Sequence, residues 1–166
     1  MGQEIIVAPW TLINMVKMSQ TDQEIRILAL DVGEKRIGLA VSDPLGITAQ
    51  GLEVLVRQGP EKDLERLLFW AESYRVQEIV VGLPRHMNGR PAARTAEILE
   101  LAQALADTLG VPLTPWDERL STAQAERLLI SADLSRRRRR QVIDQLAAVL
   151  ILQSYLDYRR TGRRET

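Results

Sequence analysis

Residues 27–43 read ILALDVGEKRIGLAVSD. A short apolar run, residues 27–30, ends in a carboxylate, Asp31. Val32 and Gly33 follow, then a charged turn of Glu34, Lys35 and Arg36. A second apolar run, residues 37–41, closes on Ser42 and Asp43. Runs of this length, bounded by glycine and charge, read as two strands of a hairpin. Asp31 then stands at the exit of a buried strand. An ionised carboxylate there must be paired, hydrogen-bonded or bound to a cation. Gly33 and Gly38 let backbone or ligand come close. Taken alone, the stretch also suits an aspartate that closes the turn through its side chain.

The surrounding chain has 166 residues, 45% hydrophobic and 27% charged, as expected of one globular domain with a sizeable core. Lys plus Arg and Asp plus Glu number 22 each, so net charge points to no partner. Its distribution does: residues 136–140 are five consecutive arginines, and Arg159, Arg160, Arg163 and Arg164 gather at the end. The absence of Cys excludes disulfides and thiolate metal sites, and a single His, His86, excludes a multi-histidine zinc site. The absence of Cys also fits a reducing compartment. Residues 5–18 are apolar but broken by Pro9, Asn14 and Lys17, too short to span a membrane and without the basic start of a signal peptide. Residues 1–24 therefore read as an N-terminal extension, with Met15 and Met18 as alternative starts, or as a short helix packed on the domain.

Residues 47–56 suit a third strand with a bulge at Gly51. Gly59-Pro60 opens a helix whose Leu64, Leu67, Leu68 and Ala71 share a face. Residues 76–81 form a fourth strand, followed by a polar loop over 85–91. A helix over 93–109 carries Ile98, Leu101, Ala102, Leu105 and Leu109 as its stripe, and Gly110 stops it. Residues 111–116 make a short strand that two prolines restrict to an edge. Ser121 and Gln124 form a capping box for a further helix, and a long helix spans 141–158 after the arginine run. Three strands followed by alternating helices and strands predict an α/β layer structure, part antiparallel hairpin and part parallel crossover.

Acidic residues mark the site. Asp31 ends the first strand and Asp117-Glu118 end the fifth. Asp144 lies in the last helix, three, four and seven residues before Ala147, Ala148 and Ile151, on a stripe of small and apolar residues. A helix-surface Asp144 paired with Arg140, and a Glu118 that complements a helix N-terminus, are the structural alternatives. Carboxylates gathered at a buried edge repel unless cations neutralise them, and Mg²⁺ or Mn²⁺ takes such oxygen ligands. Two such ions roughly 3.5–4 Å apart activate water and stabilise the leaving oxygen in phosphodiester hydrolysis.

Four stretches together resemble one family: LALDVGEKRIGLAVSD at 28–43, IVVGLPRHMNG at 79–89, DERLST at 117–122 and IDQLAAVLILQSYLD at 143–157. They are similar, in family order, to the YqgF-type, RuvX-like proteins, described as pre-16S ribosomal RNA nucleases and Holliday-junction-resolvase-like proteins. The resemblance covers residues 26–157 and leaves the first 24 outside. It implies a ribonuclease H-like fold with a five-stranded mixed sheet flanked by helices, a bacterial cytoplasmic location, and a nuclease domain over 25–160 followed by a basic tail at 161–166. It assigns Asp31, Glu118 and Asp144 as the metal-binding catalytic acids, with Asp117 the alternative to Glu118. Where the family often has lysine before the last acid, this chain has Arg140, which still grips phosphate, as a fork.

On this reading Lys35 and Gly33 shape the turn beside the metals. Arg85, Asn88 and Arg90, with Arg119 and the run containing Arg136, Arg137 and Arg140, hold the phosphate backbone. One Phe, three Trp and three Tyr offer no evident platform for stacking single-stranded bases, so shape and charge carry recognition. The expected activity is metal-dependent endonuclease cleavage, of the 5′ end of pre-16S ribosomal RNA or of branched DNA. A non-catalytic module docked on ribosomal RNA or the transcription machinery is the competing class. An actin-like ATPase or sugar kinase needs a second domain that a chain of this size lacks. The sequence sets neither RNA against DNA nor an oligomeric state.

Overall fold

The computed structural model describes residues 24–84, 92–117 and 136–162, the side chains at 92, 136–141 and 144 excepted. Strand β1 (Ile27–Val32) lies at the centre of a five-stranded sheet. It pairs antiparallel with β2 (Arg36–Ser42), which pairs antiparallel with β3 (Ala49–Val56) at one edge. On its other side it runs parallel to β4 (Glu78–Leu83), and β4 runs parallel to β5 (Leu113–Asp117) at the far edge. The order is β3-β2-β1-β4-β5. The hairpin register is Leu28↔Val41 through Val32↔Ile37, so Asp31 faces Gly38 across the ladder.

Alternation along β1 divides the core in two. Leu28, Leu30 and Val32 pack with Leu67 and Ala71 of α1 (Pro60–Ser73) and with Ile98, Leu101, Ala102 and Leu105 of α2 (Ala92–Leu109). Ile27 and Ala29 face the other way, against Ala148, Ile151, Leu152 and Tyr155 of α3 (Arg136–Gly162). Fully burying side chains of this size contributes roughly 1.5–3 kcal/mol each, so every central strand must be apolar on both faces. That is why 27–30 and 79–81 read as unbroken apolar runs.

Several boundaries differ from the sequence reading. β1 runs one residue past Asp31, to Val32. β3 begins at Ala49, because the amides of Ile47 and Thr48 donate to Asp43 Oδ1 (2.6 and 2.9 Å) and close a loop there. β4 is shifted to Glu78–Leu83: Val76 ends the turn after α1, and pairing continues to Leu83↔Asp117. β5 starts at Leu113, two residues late, since Pro112 contributes only its carbonyl, which accepts from Ile79 N (2.9 Å). The arginine run is not a lead-in to the last helix. Residues 136–140 are already helical, and the helix continues to Gly162. Other details agree. The ladder shifts register between Gly38 and Ala40, opposite the stretch after Gly51, and Pro60 opens α1. Gly110 turns out of α2 at φ +67°, where a side chain would be strained. The helix expected after Ser121 and the extension at 1–23 lie outside the described residues.

Candidate active site

Asp31 is half-buried near the C-terminal end of the central strand. By alternation it belongs to the face of Ile27 and Ala29, the face that α3 covers. Its ladder partner Gly38 puts no side chain beside it. Because β1, β4 and β5 run parallel, all three end along this same edge, at Val32, Leu83 and Asp117. The chain positions that follow are 85–90 and 118–119.

Glutamines on α3 set its direction across the sheet. Gln145 Nε2 donates to Leu52 O (2.8 Å). Two turns on, Gln153 Oε1 accepts from Ala49 N and its Nε2 donates to Ile47 O (both 3.0 Å). The helix thus runs opposite to β3, and β3 runs parallel to β1. Its far end is anchored at the start of β4, where buried Glu78 accepts from Thr114 Oγ1 (3.0 Å), the Tyr155 hydroxyl and Arg159 (2.6 Å). Burial, then the hydrogen bond to Glu78, hold the Tyr155 hydroxyl above the usual phenol range, which keeps it a donor. Ile151 packs directly over Gly82. With the C-terminal half of α3 fixed at the strand starts, its N-terminal half, with positions 136–144, extends toward the edge that holds Asp31.

The turn after Asp31 is held from behind. Gly33 N donates to Arg36 O (2.8 Å), and a Cβ on Gly33 would stand 2.9 Å from that carbonyl. Lys35 is exposed, and its carbonyl accepts from Arg57 N (3.0 Å). The Arg57 guanidinium donates to Gly33 O (3.3 Å) and pairs with Asp63 (3.1 Å) and Glu97 (2.8 Å). Arg94 donates through one nitrogen to Val32 O (3.3 Å) and through the other to Glu97 (3.2 Å). Burial works against the charge on Arg57, but its hydrogen bonds to Glu97 and Asp63 outweigh it and raise its pKa. The hydrogen bond from Arg57 is the main reason the Glu97 carboxyl lies below the usual range.

Of the expected site residues, the structure places Asp31, Lys35 and the backbone of Asp144, Arg136, Arg137 and Arg140. Arg85, Asn88, Arg90, Glu118 and Arg119 lie outside the described residues. Among the described residues no three acidic or histidine side chains form a metal cluster. Asp117 is described, and strand alternation puts it on the face of Leu113, opposite Trp116 and Asp31. Sequence reasoning missed Arg57, Asp63, Arg94 and Glu97. The signal in the sequence was weak: Asp63 in the first turn of α1 and charged residues near the start of α2. Among the described residues no helix is long and apolar enough to cross a membrane.

Residues 25–158 match the model of the RuvX family, described as Holliday junction resolvase. A protein of Pelotomaculum thermopropionicum named "Putative pre-16S rRNA nuclease" is 55% identical over 141 residues, 84% of this chain and 92% of that protein. One of the same name from Syntrophomonas wolfei is 53% identical over 132 residues, 80% and 94% of the two chains. In fold, the chain is similar to Thermus thermophilus RuvC solved with a Holliday junction substrate. The TM-score is 0.57 at 17% identity, covering 83% of this chain and 96% of that one. The fowlpox virus Holliday junction resolvase gives 0.52 at 11% identity, covering 81% and 99%. The fold is therefore ribonuclease H-like, a mixed five-stranded sheet between helices.

Proposed function

The chain belongs to the RuvX family, and from that premise we propose that it is a metal-dependent endonuclease that trims the 5′ end of pre-16S ribosomal RNA. Hydrolysis of phosphodiester bonds in nucleic acid is the activity that the family description and the relatives' names share. One observation carries the site: half-buried Asp31 stands on the face covered by α3, and the half of α3 bearing position 144 runs to the same edge.

Asp31, Glu118 and Asp144 are the acids of this site. Glu118 is preferred over Asp117 because Asp117 alternates to the face opposite Asp31. The residues fit a hard divalent cation. Their donors are carboxylate oxygens, the ligand type such an ion prefers. Asp31, Glu118 and Asp144 would hold Mg²⁺ or Mn²⁺, which supplies an activated water and stabilisation of the leaving oxygen. The protein's own part is to gather the acids at a sheet edge and position the nucleic-acid backbone. Lys35 is exposed beside Asp31 and takes one phosphate. Arg85, Asn88 and Arg90 after β4, Arg119 after β5, and Arg136, Arg137 and Arg140 on α3 supply the remaining contacts, which position the substrate without reading bases. Residues 25–160 form the nuclease domain, with 1–24 an extension, 161–166 a basic tail, and the cytoplasm as its compartment.

Branched DNA is the second reading, favoured by the family's description. The test is cleavage with Mg²⁺ or Mn²⁺ of a precursor RNA carrying the 5′ flank of 16S, beside a four-way DNA junction, with Asp31→Asn as control. The expected result is RNA cleavage that needs metal and vanishes in Asp31→Asn, whose fold is unchanged. Junction cleavage alone would transfer the proposal to DNA. Binding of RNA without cleavage would leave a docking module.

A further inference from the structure

The polypeptide just after Asp31 presents two consecutive carbonyls, Val32 O in the last hairpin pair and Gly33 O just beyond it. Each accepts from a different guanidinium, Arg94 for the first and Arg57 for the second, both at 3.3 Å. The two guanidinium groups share one carboxylate, Glu97, at 3.2 and 2.8 Å. Arg57 is braced further by Asp63, which is 1% exposed and also accepts from Gln58 N (2.8 Å). The arrangement needs forks. Arg94 uses separate nitrogens for Val32 O and Glu97, and Arg57 uses its Nε for Asp63 and a terminal nitrogen for Gly33 O and Glu97. A lysine ammonium is a point donor and cannot span both partners in either case.

These residues come from three separate parts of the chain. Arg57 follows β3, Asp63 is in the first turn of α1, and Arg94 and Glu97 are in the first turns of α2. α2 starts at Ala92, directly after the positions assigned above to phosphate contact, 85–90. The geometry points to Arg57, Glu97 and Arg94 as a positioning hub: they fix the backbone that presents Asp31 and tie it to the start of α2. None of them touches the reacting atoms. The hub rests on the nuclease reading for its effect on turnover, but not for its effect on the turn.

Arg94→Gln tests it, because Arg94 is 20% exposed and its loss leaves Arg57 paired with both acids. Three quantities are measured: melting temperature, amide exchange in the peptide over 30–38, and kcat and KM for precursor RNA. The expected result is exchange at least about threefold faster in that peptide, with kcat about tenfold lower, KM within about twofold, and melting within a few degrees of wild type. Arg94→Lys should recover less than half of the lost kcat. Arg26→Gln is the control: it removes a guanidinium bond to Ser42 O (3.1 Å) at the opposite end of the hairpin, and should change neither exchange over 30–38 nor turnover. Unchanged exchange in Arg94→Gln overturns the hub, as does faster exchange with unchanged kcat. So does a fall in melting temperature that alone accounts for the lost activity. If the wild type cleaves no RNA or DNA, the nuclease reading fails, while exchange over 30–38 still decides whether the hub holds the turn.

Discussion

Gly82 offers a measurable test of how α3 is seated on the sheet. A Cβ added there would stand 2.5 Å from Ile151 Cδ1 and 3.4 Å from its Cγ1, with Leu30 O at 3.7 Å. Ordinary contact begins near 3.4 Å, so Cδ1 must move by about 1 Å. Ile151 is fully buried among Ala148, Leu152 and Tyr155, which leaves a strained rotamer or a lifted helix as the responses. Overpacking of this kind costs about 1–3 kcal/mol. For a chain of this size that lowers Tm by about 2–12 °C. Ile151→Val removes the clashing methyl and costs about 0.5–1.5 kcal/mol by itself. In the Val background Gly82→Ala should be close to neutral, giving a coupling of about 1–2 kcal/mol. Urea denaturation of wild type, both single variants and the double variant measures it, with the m-value unchanged. Additivity within about 0.5 kcal/mol would refute the proposed seat of Ile151. Where the helix lifts, position 144, seven residues or about 10 Å along α3, moves with it. Cleavage should then fall in Gly82→Ala at temperatures where the protein stays folded, and return in the double variant.

Three further outcomes follow from other parts of the molecule. Burial opposes ionisation of Asp43, but amides of Thr48, Ile47 and Leu45 outweigh it and hold its pKa below the usual value. A depressed carboxyl stabilises the fold above its unfolded pKa and stops doing so as pH falls through the folded one. Asp43→Asn should therefore melt below wild type at pH 7, with the difference closing as pH falls through the folded-state pKa; a gap that persists in acid would show the charge to be irrelevant. Replacing Arg136, Arg137 and Arg140 with Gln, an equally good helix former, should leave Tm unchanged and flatten the slope of log affinity against log salt by about 2 units. Filter binding of one precursor RNA at several salt concentrations reads the slope; an unchanged slope makes the run a solvated surface, and lost turnover at unchanged affinity puts an arginine at the transition state. A chain starting at Met18 should melt within a degree or two of the full chain, whereas a drop of several degrees would mean that residues 5–18 pack on the core.

Local pattern carried much of the fold. Strand and helix order followed from apolar runs interrupted by Gly33, Gly59-Pro60 and Gly110, because backbone punctuation is a property of single residues. The stripes on α1 and α2 followed from 3.6-residue spacing, and Leu67, Ala71, Ile98, Ala102 and Leu105 are buried as that spacing requires. Element ends were less legible. Whether Val76 or Glu78 starts β4 depends on pairing with β1 and β5, which lie far off in the chain. The helical start at Arg136 was hidden by charge, since like charges in series look the same on a helix as in a connector.

By itself the sequence determined the family and the order of the described elements, since short motifs and apolar runs hold their residues within a few positions of one another. Tertiary structure decided which face Asp31 occupies, which way α3 crosses the sheet, and that Arg57, Asp63, Arg94 and Glu97 meet behind the Asp31 turn. Those facts depend on strand register and helix direction. A one-residue slip in register moves a whole strand's side chains to the opposite face, and no local pattern encodes a contact between Arg94 and a carbonyl 62 residues away.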